Sequence, residues 1–200
     1  HSTTLSFFEW CGDYPGYAMI DVEEKNPGTL AMFWAGCGAD QNPLPRRTVE
    51  LAQEYGNKLA TAVQTAVAES THPIAGNLDV RYDEPEIGFD KMLTKEQIEE
   101  NLTSSDRYQV GRAKLLKKEI ETTGQLRPSY AYPVQTWKLG DGPIWVILGG
   151  EVVVDYAIRL KTEIRMQEDV KPVWVAGYAN DVMAYIPSLR VLKEGGYEGE

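Results

Sequence analysis

Few side chains in this sequence can activate water, attack a carbonyl or hold a metal. Its histidines are His1 and His72, and its cysteines are Cys11 and Cys37. Glu151 follows Gly149-Gly150 at the end of the apolar run Pro143-Ile-Trp-Val-Ile-Leu148. A short run of β-branched and large apolar residues reads as a buried strand. The two glycines permit a tight turn, and Val153, Ala157, Leu160 and Ile164 recur at helical spacing. A carboxylate set between a strand and a helix suits ligand binding at the carboxyl edge of an open α/β sheet. It equally suits a solvated glutamate favoured by a helix N-terminus.

Two further loops have the same make-up. The apolar stretches 30–35, 144–148 and 173–177 each run into small and polar residues, which bring Asp40 and Asn42, then Glu151, then Asn180, Asp181 and Tyr185. If the three strands are mutually parallel, these loops share one edge, as a polar active site requires. The competing reading makes the Asn and Asp residues turn and cap formers.

The chemistry is then narrowed by what is missing. There is no Gly-x-Ser-x-Gly elbow for a serine nucleophile. There is no P-loop or dinucleotide fingerprint, since Gly36-Cys-Gly38 lacks the third glycine. Cys37 is a conceivable nucleophile with His1 or His72 as its base, against the alternative of a buried free thiol. His72 precedes Pro73 and reads as a solvated loop residue. His1, Glu151 and the loop acids are too few to establish a metal site from spacing. The residues alone indicate an α/β domain with a polar edge site suited to hydrolysis.

The elements that must position these groups follow from periodicity. A short helix is expected over residues 16–24, stopped by Asn26-Pro-Gly28, and a long amphipathic helix over 48–70 with Ala52, Tyr55, Leu59, Ala62, Val63 and Ala66 on its apolar face. Residues 77–89 read as extended. Thr94 with Gln97 fits a capping box, and Ser104 or Ser105 starts another helix that Gly124 stops. Residues 128–139 alternate like a strand and Asp141-Gly142 turns it into the strand before Glu151. A helix over 154–166 and a last strand over 171–177 complete the pattern. The fold class is α/β, with a mixed or mostly parallel sheet and flanking helices. Residues 1–200 are read as one domain, with 71–126 an elaboration.

The charge balance, 30 acidic against 20 basic residues, argues against a nucleic-acid backbone or an anionic membrane as partner. No run approaches the roughly 20 apolar residues of a membrane helix. Cys11 and Cys37 could pair or stay as two thiols. The absent initiator Met reads as a stretch cut from a longer protein.

Several separated motifs, in order, resemble the neutral/alkaline ceramidases, zinc-dependent amidases of N-acyl sphingoid lipids. They are His1-Ser-Thr-Thr4 with Gly12-Asp-Tyr-Pro-Gly-Tyr-Ala18, the loop from Phe33 to Pro43, Gly150-Glu151, Ala179-Asn-Asp181 with Tyr185, and Gly196-Tyr-Glu-Gly199. The resemblance implies the C-terminal part of the family's catalytic domain and Zn2+ as cofactor. It implies His1, Glu151 and Tyr185 as metal ligands, with a further histidine upstream, so that the stretch alone is inactive. Tyr197, with an arginine upstream, would stabilise the oxyanion. Asp40 matches a family aspartate in the loop that carries a catalytic serine, and the resemblance implies a catalytic role for it beside Tyr197. The implied partner is a small-molecule or lipid amide, and the implied location is secreted, periplasmic or cell-surface.

With Asp40 so aligned, Gly36 stands at the serine position. The expected activity is therefore metal-activated water cleaving a ceramide-like amide. The competing readings are a hydrolase of another amide or ester, a catalytically silent lipid- or glycan-binding module, and a cysteine amidase using Cys37.

Overall fold

A computed structural model describes residues 1–69, 71–167 and 172–199. The chain divides into two compact units, His1–Tyr82 with Pro133–Glu200, and Asp83–Tyr132.

In the first unit, helix α1 (Asp13–Lys25) opens with an acidic residue and closes with a basic one, both favourable to its dipole. It begins three residues before the expected start, because Asp13 is itself buried and hydrogen-bonded. The Asn26 side chain caps the Val22 carbonyl at 2.8 Å. Helix α2 (Val49–Glu69) starts at Thr48, whose Oγ1 accepts the Leu51 amide at 3.2 Å; its expected last residue, Ser70, lies outside the described residues. The face that α2 buries differs from the expected one. Ala52, Gly56 and Ala60 are buried, whereas Val63 is 38% exposed. The reason is close approach: a Cβ on Gly56 would sit 2.5 Å from Tyr17 Cβ and 2.9 Å from the Tyr14 carbonyl oxygen of α1. Small residues at one-turn spacing let the backbones meet.

The sheet holds β1 (Leu78–Asp83), β4 (Val134–Leu139), β5 (Ile144–Leu148) and β7 (Val173–Ala176), in the order β1-β4-β5-β7. Strands β4 and β5 are antiparallel around the Asp141-Gly142 turn, and β5 and β7 are parallel. The sheet is therefore mixed, as expected. Register places Trp137, Trp145 and Trp174 in one row across three strands. Trp34 joins the row with its ring 5.0 Å from that of Trp145, an arrangement of offset and edge-on rings that aromatic quadrupoles favour. The opposite face buries Val146, Leu148, Val173 and Val175.

Two expectations about strands need correction. Residues 30–35 are extended but form no strand; Leu30 and Met32 are 78% and 83% exposed. Their backbone link to the sheet is the Gly177 amide donating to the Ala35 carbonyl at 3.1 Å, too little for a ladder. The run 128–139 breaks into β3 (Ser129–Ala131) and β4 at Pro133, which has no amide to donate. The expected start of the last strand at Lys171 lies outside the described residues.

Past β5 the chain makes β6 (Glu151–Val152), helix α5 (Val154–Gln167), then, after β7, β8 (Tyr185–Ile186), helix α6 (Leu189–Glu194) and a 3-10 turn at Tyr197–Gly199. Strands β6 and β8 are parallel, with Glu151 paired to Tyr185. Gly150 (φ 76°) makes the approach possible, since a Cβ there would lie 2.7 Å from Ile186 and 2.9 Å from the Ala184 carbonyl oxygen. Ala39, Val153 and Val191 form a small core beside them, with Tyr156 and Tyr185 packed on it. Ser188 caps α6, and Asp155 of α5 accepts from Arg190 Nε at 2.9 Å and Nη2 at 3.0 Å.

The second unit contains β2 (Glu86–Gly88) paired antiparallel with β3, and helices α3 (Lys95–Asn101) and α4 (Arg107–Thr123) packed on each other. The Thr94–Gln97 capping box is present in full. Asp106, rather than either serine, caps α4. Gly124 ends α4 in the left-handed region (φ 85°). Ala113 of α4 is fully buried.

No described helix is long and apolar enough to cross a membrane.

Candidate functional site

The first residues of β6 and β8, Glu151 and Tyr185, set the geometry. Their parallel pairing holds the Glu151 and Tyr185 backbones side by side, and Glu151 N–H donates to the Ala184 carbonyl at 2.8 Å. A cavity of about 460 Å³ opens there, lined by His1, Asn42, Arg46, Glu151, Tyr185 and Tyr197, with Glu198 at its border. Four of the five proposed site residues, His1, Glu151, Tyr185 and Tyr197, thus share one cavity. Asp40 does not line it. Its Oδ1 accepts the Val154 amide at 2.9 Å, which fixes the start of α5. Asn180 and Asp181 are not lining residues of this cavity either.

His1 reaches the site because the segment behind it is clamped. Asp13 is 5% exposed. Its carboxylate accepts from Thr3 N at 2.9 Å, Thr4 N at 2.7 Å, Thr4 Oγ1 at 2.6 Å and Tyr14 N at 2.8 Å. Burial pushes its carboxyl up, but the hydrogen bonds outweigh burial and hold it below the usual carboxylate range. The His1 ring lies against the 39–41 loop, with Nε2 2.7 Å from the Ala39 carbonyl oxygen. A carbonyl only accepts, so Nε2 carries the proton and the neutral ring keeps its lone pair on Nδ1.

The tyrosines are electrostatically coupled to Glu151. Burial first, then the Glu151 charge, push the Tyr185 phenol up to about 12. The Tyr185 and Tyr197 rings meet edge-on, with centroids 5.4 Å apart. Tyr197 is 74% exposed, which leaves it accessible to a ligand. Burial first, then the Glu151 charge, raise the Tyr178 phenol well above the usual range. Both phenols stay protonated at neutral pH unless a cation enters.

The donor set is one imidazole, one carboxylate and one phenol, the nitrogen and oxygen ligands that zinc accepts. A ring N–H held by a backbone carbonyl, as on His1, is the usual way a metal-binding histidine is oriented. These features fit the ion. No group of three or more His, Cys, Asp or Glu residues capable of holding a metal occurs among the described residues, so the fit depends on Tyr185.

Sequence reasoning passed over three residues at this site. Arg46 lines the cavity and its Nη1 donates to Asn42 Oδ1 at 2.6 Å; its proximity to the Asn42-Pro43 loop was the available signal. Asp13 looked like a turn residue, and Tyr178 looked like part of a loop. The two cysteines are both free. Cys37 is buried, and burial pushes its thiol up to about 11, which opposes a role as nucleophile.

No protein-family model matches the chain, and no curated protein matches it in sequence. Solved structures that match it in fold include two ceramidases. One is the neutral ceramidase from Pseudomonas aeruginosa, 18% identical with a TM-score of 0.65. The other is a ceramidase complexed with C2, 16% identical with a TM-score of 0.65. Each covers 100% of this chain, which in turn spans 39% and 40% of theirs. At this identity the likeness is one of architecture, and the chain is therefore similar in fold to about two fifths of a neutral ceramidase.

Proposed function

We propose that this chain carries most of the active site of a zinc-dependent hydrolase that cleaves the amide bond of an N-acyl, ceramide-like lipid. The observation that supports this reading most is the meeting of His1, Glu151, Tyr185 and Tyr197 around one cavity, from positions up to 196 residues apart. Within the chain, His1, Glu151 and Tyr185 would hold the ion. When bound, zinc supplies a water acidic enough to ionise near neutral pH and a Lewis acid for the carbonyl.

The chain's own groups supply the rest. Tyr197 would donate a hydrogen bond to the substrate carbonyl oxygen, and the Arg46 guanidinium brings positive charge to the same cavity, where negative charge would develop on oxygen. Glu198 is the second carboxyl at the cavity and would pass a proton to the departing amine. By the same analogy the protein would act outside the cytoplasm or at the cell surface. Gly36 favours a second reading, in which the site binds an N-acyl lipid without cleaving it.

The test is metal analysis of the purified protein beside hydrolysis of a fluorogenic N-acyl sphingoid substrate. Stoichiometric zinc and turnover are expected, with both lost in Glu151→Gln. Absence of zinc, or a Glu151→Gln variant that keeps metal and turnover, overturns the proposal. Zinc and lipid binding with no turnover would select the second reading.

A further inference from the structure

Several arginines outside the candidate site face carboxylates: Arg81 pairs with Asp79, Arg127 with Glu119 and Arg190 with Asp155. Arg46 is bonded differently. Its Nη1 donates to the neutral Asn42 Oδ1 at 2.6 Å. No ion pair joins it to a carboxylate among the described residues, although Glu151 and Glu198 line the same cavity. Arg46 is also half-buried, whereas its neighbour Arg47 is exposed. A guanidinium drawn partly out of water without an acid beside it is unfavourable, and its fork of donors matches the paired oxygens of a carboxylate or phosphate.

The backbone on either side of Arg46 is held. Tyr55 of α2 donates its hydroxyl to the Pro45 carbonyl at 2.6 Å. Arg47 N–H donates to the Thr3 carbonyl at 2.7 Å. Arg47 has φ +85°, in the left-handed region that residues other than glycine seldom enter. Such a conformation persists where its surroundings over-determine it, and these positions cluster at functional sites. Thr3 belongs to the segment that Asp13 clamps and that aims His1. Arg46 is thus tied to the same segment as the imidazole, with its side chain steadied by Asn42. Preorganisation of this kind lowers the ordering cost of gripping a ligand.

The rest of the cavity says which part of a ligand lies there. Leu5 is the aliphatic residue of a lining otherwise made of polar, charged and phenolic side chains, which suits the amine portion of an N-acyl lipid and not its acyl chain. The chain as a whole carries a net charge of −10 and repels anions at a distance, so a preference for an anion has to be local. We infer that Arg46 is a specificity-determining residue that grips an anionic oxygen group, carboxylate or phosphate, on the amine portion of an N-acyl substrate. The inference deepens the proposed function and rests on it for the acyl amide.

The test is calorimetric titration of the metal-free full chain with N-decanoylethanolamine, its phosphate monoester and N-decanoylglycine, each below its micelle concentration. The three share an acyl amide and differ in the head group, and without the ion neither metal ligation nor turnover contributes. At least one anion is expected to bind about 10- to 100-fold tighter than the alcohol, as charge-assisted pairing implies, and the tighter of the two identifies the group. Arg46→Gln, which can still donate to Asn42, is expected to lose that preference with the affinity for the alcohol unchanged. Arg46→Met, which keeps the apolar stem, is the second variant should the first not fold. An alcohol that binds as tightly as both anions, a preference that survives in the folded variant, or failure of all three to bind overturns the inference. A wild-type chain without zinc or turnover that still prefers an anion through Arg46 would fell the hydrolase reading and leave this one standing. Zinc and turnover with binding of the alcohol alone would do the reverse.

Discussion

The clamp at Asp13 makes a quantitative prediction. The carboxylate satisfies two buried backbone amides, Thr3 N and Thr4 N, together with the Thr4 hydroxyl and the Tyr14 amide. Asp13→Asn keeps one acceptor oxygen and turns an NH2 group toward donors that the other oxygen had served. At least one buried amide is then unsatisfied and one charge-assisted bond is weakened, which costs about 2–3 kcal/mol. Asp13→Ala removes both acceptors, at about 3–5 kcal/mol. It also leaves alanine at φ +52°, a left-handed conformation that Asp and Asn tolerate through local side-chain hydrogen bonds and alanine does not. The sign of the pH dependence follows from the lowered carboxyl pKa. A carboxylate whose folded pKa lies below its unfolded value contributes stability that is present above the unfolded value and lost as pH falls through the folded one. The gap between wild type and Asp13→Asn should be full at pH 7 and shrink below pH 4. Urea unfolding across that range measures it, and amide exchange at Thr3 and Thr4 reports the local effect. An Asn variant within about 0.5 kcal/mol of wild type at pH 7, or a gap that persists undiminished at pH 3, would refute the assignment, since charge-assisted buried bonds contribute more than that.

Two further outcomes follow. Tyr197→Phe should lower turnover about 100- to 1000-fold, as expected on losing one oxyanion donor, with zinc content unchanged; equal turnover would remove Tyr197 from the reaction. At pH 8 a thiol reagent should modify the exposed Cys11 and spare Cys37, whose thiol is pushed up to about 11, and Cys37→Ser should hydrolyse substrate as well as wild type. Rapid labelling of Cys37 in the folded protein would contradict this account.

Local signals carried much of the fold. The glycine pair before Glu151, the Asp141-Gly142 turn, the Thr94 box and the Gly124 stop all act through neighbours in sequence, and each lies where periodicity and turn chemistry put it. What escaped was non-local. Residues 30–35 have the composition of a strand, but a strand is defined by its partner, and this stretch has one backbone bond to the sheet edge. The α2 face looked like a wide apolar stripe, yet the helix packs through Ala52, Gly56 and Ala60 because α1 approaches too closely for larger side chains. The two-residue β6–β8 ladder is shorter than any periodicity can register, although it creates the Glu151–Tyr185 pair. Composition could name His1 and Glu151 as chemically capable; only tertiary pairing brings them to one cavity.

The loop 36–42 shows why Asp40 matters without lining that cavity. Ala39 is fully buried, its amide donates to the Val152 carbonyl at 3.2 Å, and its carbonyl oxygen meets His1 Nε2 at 2.7 Å. One residue later, Asp40 holds the Val154 amide; one further, the Gln41 carbonyl accepts from His1 N at 2.6 Å. Three consecutive residues therefore bond alternately to the His1 segment and to the strand and helix that flank Glu151. The loop fixes the separation between the imidazole and the carboxylate, the two groups that no local element brings together. Loss of the Asp40 carboxylate would leave the Val154 amide without its cap, at about 1 kcal/mol, and would loosen the same hinge from which His1 is aimed. A residue in this position acts by placing others, and so Gly36 in the same loop is compatible with the proposed hydrolytic site of His1, Glu151 and Tyr185.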